Sequence, residues 1–116
     1  MGLDEVRSHL ISAVSFASEA ETLVEYVQQN RSTRHYADGH LAYLADEVER
    51  SSKELHETLT TVATDEKAEL CRAELDSLAN ELSAVRLHID NPNALAVNRE
   101  HVDEIRLALE QANSSL

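Results

Sequence analysis

Six histidines, a single cysteine and 22 acidic side chains are the groups from which this 116-residue chain could build a reactive centre. Histidines joined to acids at helical spacing would serve as metal ligands, and a di-iron bundle site draws Glu-x-x-His pairs inward from two helices. No Glu stands three residues before any His here, and Glu5 with His9 at i, i+4 supplies two ligands at most. On a 3-4 heptad template His9, His40, His88 and His101 fall at g, flanking a core stripe, while His56 falls at b and points outward. Antiparallel helices would set His9 near Thr60, His40 near Gln29, His88 near Leu95 and His101 near Leu82, so none of these faces another. The expectation is half-wet boundary histidines and no metal ligand.

Nucleophilic and acid-base chemistry finds equally few parts. Cys71 lies between Ala68 and Leu75 at a core position, where an inert buried thiol is expected. There is no Gly-x-Ser-x-Gly, no Gly-rich phosphate loop and no dinucleotide fingerprint. Asp46-Glu47 and Glu100 with Asp103-Glu104 read as solvated helix faces, because a raised carboxylate pKa needs burial that adjacent helical residues rarely share. A phosphotransfer bundle needs a solvent-facing His beside a base and a small residue. His40-Leu41-Ala42-Tyr43 lacks both base and Gly, and His56, a turn after Lys53, adjoins the acid Glu57. No catalytic residue and no cofactor follow, and a closed bundle with almost no long loops leaves few places for a pocket, so an enzyme is not expected.

The elements that would position these groups are legible from composition and periodicity. Two Gly and one Pro leave little turn chemistry for sandwiches, barrels or βαβ units, and one Cys excludes a disulfide framework or a Cys-based zinc site. In the first segment Leu3, Val6, Leu10, Ala13, Ala17, Ala20, Val24 and Val27 occupy a and d without a miss, up to Asn30. The second runs Leu41, Leu44, Val48, Ser51, Leu55, Thr58, Val62; Ser32 or Thr33 could cap it with Gly39 on an outer face, or Asp38 could cap it later. The third runs Ala68, Cys71, Leu75, Leu78, Leu82, Val85, Ile89. The fourth has Leu95, Val102, Ile105, Leu109 and Ala112, starting at Pro92 or, because Asn98 breaks the stripe, only at Asn98.

Between the second and third segments the β-branched run Thr58 to Thr64, the acids Asp65-Glu66 and a one-residue slip in heptad phase favour a break near Thr64. The expected fold is therefore one domain over 1–116, all-α, an antiparallel up-down four-helix bundle with helices of about 23 to 28 residues. The rival is a long helical hairpin or three-helix dimer with residues 38–90 continuous.

Charge narrows the function. The net charge of -12 opposes direct nucleic-acid binding, which needs clustered Lys and Arg. Spread over roughly 40 Å it amounts to about one charge per 3.3 Å, half the density of duplex phosphate, so mimicry of DNA is a third choice. Acids and bases number eleven and five in residues 1–60 and again in 61–116, so there is no acidic tail. Arg outnumbers Lys eight to two, which with the acid excess fits adaptation to high salt. No apolar run approaches the roughly 18 residues of a membrane span, and Met1-Gly2-Leu3-Asp4-Glu5 has neither the basic start of a signal peptide nor a good myristoylation context, so a cytoplasmic location is expected.

Two features point to protein partners. Arg31, Arg34, His35 and Tyr36 form the segment where bases outnumber acids; alternatively, such cations simply offset the dipole of the first helix. Leu70, Leu87 and Tyr43 fall off the core stripes at c, f and c, which makes the third helix apolar on more than one side. The candidate interaction residues are Arg31, Arg34, Tyr36, Tyr43, Leu70 and Leu87. The expected function is a non-enzymatic adaptor, chaperone, inhibitor or immunity-type protein that binds another protein, with a basic partner favoured by the acidity and a homodimer as one form of the contact. A metal- or small-ligand-binding bundle using the boundary histidines is the alternative.

Overall fold

The computed structural model describes residues 3–31, 33–61 and 66–115. Four helices follow one another: α1 Leu3–Gln28, α2 Arg34–Thr61, α3 Glu66–Leu87 and α4 Pro92–Ser114. Cross-helix pairs show the alternation of direction. Asp38 meets Arg86 and Ser52 meets Asp76, so α2 and α3 run antiparallel. Glu25 with Arg99 and Glu21 with Arg106 set α1 against α4 in the same way. This is the up-down four-helix bundle, and the side-by-side pairing of α2 with α3 excludes one continuous helix over 38–90. The expected turn at Thr64 lies outside the described residues.

The helix ends have local causes. α1 closes with Asn30 in the left-handed region, φ 56°. The Asn30 and Arg31 amides then bond back to the carbonyls of Val27 and Tyr26 at 3.1 and 2.8 Å, the paired pattern of a Schellman cap. α2 starts at Arg34 because the Thr33 hydroxyl accepts the Tyr36 amide at 3.2 Å; the later start at Asp38 is not used. Gly39 is thereby inside α2, on an outward face where an added Cβ would meet no atom within 4 Å. α4 begins at Pro92, with Asn91 capping the Ala94 amide at 3.1 Å, so the start at Asn98 is corrected.

The core follows the stripes, with one shift. In α2 the buried polar position is Ser52, 6% exposed, while Ser51 is only half-buried. A straight helix turns 3.6 residues at a time and drifts from a strict 3-4 count, and Asp76 stands ready to accept the Ser52 hydroxyl at 2.5 Å. Asn98 is likewise buried, at 5%, with its amide donating to Glu81 at 3.0 Å and its oxygen against His88 Nδ1 at 3.0 Å. Nine leucines, from Leu10 to Leu109, are among the fully buried large side chains, each contributing about 1.5–3 kcal/mol.

The cross-section is a lozenge, the molecule measuring 44 × 24 × 17 Å. α2 packs most extensively on α3 and α1 on α4; α1 and α3 touch across the short diagonal, and α2 and α4 make no contact among the described residues. α1 presents Ala13, Ala17 and Ala20 to the interior, and small side chains of this kind let a neighbouring helix approach closely. α1 and α2 meet less fully than the other antiparallel neighbours, and the bundle is open along that side.

Candidate functional site

The open side is a groove of about 790 Å³ lined by Ser15, Ser18, Glu19, Thr22, Leu23 and Tyr26 of α1, Arg31 and Thr33 of the connection, and Tyr36 and His40 of α2. Small hydroxylated residues on α1 leave the space, Leu23 makes an apolar floor, and the tyrosines make walls. A second hollow of about 410 Å³ adjoins it, lined by His35, Tyr36, Gly39, His40 and Tyr43. Tyr36 and His40 are common to both. The expectation that the bundle leaves little room for a pocket is corrected by the spread of α1 from α2.

Each wall is set by the local structure already described. The Schellman cap carries Arg31 back over the last turn of α1, where its guanidinium lies 4.9 Å from the centre of the Tyr26 ring. The Thr33 cap fixes the first turn of α2 and with it Tyr36, whose ring meets that of His40 edge-on at 5.7 Å. His40 Nε2 lies 3.3 Å from Glu19 Oε1, linking the two helices across the groove. This replaces the expected level of His40 beside Gln29: α1 ends at Gln28 and α2 already begins at Arg34, so His40 reaches a position further down α1.

Electrostatics separate the groove from the rest of the surface. Arg34, Arg50, Arg72, Arg86, Arg99 and Arg106 each have a carboxylate partner. Arg31 has none within 4 Å among the described residues, and neither has the exposed Arg7 of α1; the other contact of Arg31 is Gln29 at 3.5 Å. The first turn of α2 holds no acid and begins Arg34-His35, where the helix dipole would favour anions. Elsewhere the pairing is dense. Arg106 is held by Asp103, Glu21 and Glu110, hydrogen bonds that raise its pKa further. The Arg86 guanidinium beside Asp38 holds that carboxyl below its ordinary value.

The candidate interaction residues divide by place. Arg31, Tyr36 and Tyr43 come together around the groove and its neighbour. Arg34 is engaged by Asp90 beyond the end of α3. Leu87, 85% exposed, and Leu70, 37%, sit on the outer face of α3 away from the groove. Tyr26, Leu23 and Glu19 were not singled out from sequence, and His40 was weighed only as a boundary histidine. Their signal was present as three of the four aromatics, Tyr26, Tyr36 and Tyr43, all flanking one short polar connection.

Cys71 is fully buried and burial pushes its thiol up to about 12, which keeps it protonated. Among the described residues no three His, Cys, Asp or Glu side chains gather as a metal site requires. His88, Asn98, Glu81 and His101 form a chain of hydrogen bonds that joins α3 to α4 and satisfies the buried amide. No described helix is long and apolar enough to cross a membrane. No family model matches the chain, and neither do curated proteins or solved structures.

Proposed function

We propose that the protein is a non-enzymatic, cytoplasmic binding module that engages another protein through the groove between α1 and α2. The observation that carries this is the convergence of Tyr26, Tyr36 and Arg31 on one apolar groove, with Tyr43 in the adjoining hollow. Tyr and Arg are the residue types enriched where protein partners bind, because they offer apolar area and a polar tip together. Tyr36 and Tyr43 are each 63% exposed and Tyr26 is 43% exposed, so their rings stand ready for a partner without unfolding anything.

A photo-crosslinking amino acid placed at Tyr43, and in a second variant at Leu107 on α4, tests the location in the native host. The expected result is a discrete adduct from position 43 that disappears when Tyr26 and Tyr36 are changed to Ala, and none from position 107. Adducts of equal yield from both positions would sink the proposal. The second reading, a small ligand bound beside His40, is favoured by the groove volume of about 790 Å³, which lies in the range of small-molecule sites.

A further inference from the structure

We infer that the groove receives a single helix of the partner, one that sets a row of apolar side chains against Leu23, Tyr26 and Tyr36 and places a carboxylate beside Arg31. This rests on the groove being the docking site, and it names what docks there.

The shape calls for a helix. The groove follows α1 from Ser15 to Tyr26, about 17 Å at 1.5 Å per residue. That length accommodates the i, i+3, i+4 and i+7 anchors of an amphipathic helix, which span about 10 Å. It also lies where α1 and α2 pack least fully against each other, so an added helix would complete the open side of the bundle.

The charge calls for an acid on that helix. The molecule carries a net charge of -12, yet Arg31 stands in the lining of the groove with no carboxylate within 4 Å among the described residues. Arg34, in the first turn of α2, is already paired with Asp90, and Glu19, the acid in the lining, faces His40 at 3.3 Å, which leaves Arg31 as the lining cation without a carboxylate. A partner carboxylate would complete the arrangement that the other six paired arginines have within the chain. It would also favour this groove over the acidic faces of the bundle, which repel anions.

The full chain is tested with anilinonaphthalene sulfonate, an apolar ring system carrying one anionic group, at about 0.15 M salt to screen diffuse charge. Saturable fluorescence enhancement is expected, weakened about threefold to tenfold in Arg31→Gln and largely restored in Arg31→Lys. Neutral Nile red should be indifferent to Arg31→Gln. Two helical peptides of about 16 residues, with identical Leu anchors and either Glu or Lys flanks, are then added as competitors. Displacement of the sulfonate by the Glu peptide alone supports the inference. Equal displacement by the Lys peptide, or no effect of Arg31→Gln, overturns the assignment of charge. Arg31-dependent binding that neither peptide displaces makes the occupant a free small anion and overturns the helix. If Tyr26→Ala with Tyr36→Ala leaves sulfonate binding intact while circular dichroism is unchanged, the groove is not the site at all and the reading beneath the inference fails.

Discussion

Asp38 shows how a single exposed residue contributes to this fold. Its carboxylate accepts from Arg86 Nε at 2.9 Å and Nη2 at 3.3 Å, a two-pronged contact joining the first turns of α2 to the last turn of α3. The hydrogen bond to Arg86 is the main reason its pKa is lowered from 3.8. The direction fixes the pH window: the pair stabilises the fold above pH 3.8, the ordinary value, and that contribution is lost as pH falls through the lowered value. An NMR titration should place the Asp38 midpoint below 3.8, and Arg86→Gln should move it back up. An unchanged midpoint would mean that the pair does not persist in solution. The sequence offered Asp38 only as a possible helix cap, and which acid meets which base was not legible, because exposed partners 48 positions apart are chosen by helix register alone.

At the scale of elements, the connection between α1 and α2 decides where the groove is and how it is armed. Asn30 adopts φ 56°, a conformation that Asn tolerates, Gly prefers and β-branched residues resist. Asn30→Gly should leave stability within a few tenths of a kcal/mol or raise it, whereas Asn30→Val should cost about 1–2 kcal/mol in urea unfolding. Similar midpoints for the two variants would contradict the left-handed cap. The same substitution should loosen Arg31 from Tyr26, since the cap is what turns the chain back over that ring. The sequence marked Asn30 as a helix end and Thr33 as one possible cap, both from side-chain chemistry that acts within a few residues. It did not place Arg31 on Tyr26, because that contact depends on the turn type. The turn type depends in turn on how the two helices pack.

The whole molecule is an acidic bundle whose stability must contend with its own charge. Twenty-two acids against ten bases leave carboxylates that no Lys or Arg can partner. Added salt screens that repulsion, and although it also weakens the surface pairs, those are worth little individually. The melting temperature should therefore rise between low salt and molar KCl, by about 4 °C for each kcal/mol gained. A flat or falling response would refute the proposed adaptation to high salt.

Periodicity alone determined the apolar stripes and most of the buried residues, because burying an apolar stripe is a demand each segment makes independently of its neighbours, while the break between α2 and α3 rested on local residue chemistry with a continuous helix as its rival. The stripe also placed Cys71 in the core. What tertiary structure alone decided is the lozenge cross-section. α1 buries small alanines and touches α3, while the α1–α2 side is open as a groove, although all four segments carry similar stripes. Heptad counting records which residues face inward but not how far apart the axes stand. That spacing is settled by the volumes of side chains contributed by several helices at once, which is why the groove and its unpaired Arg31 emerge only when the helices are assembled.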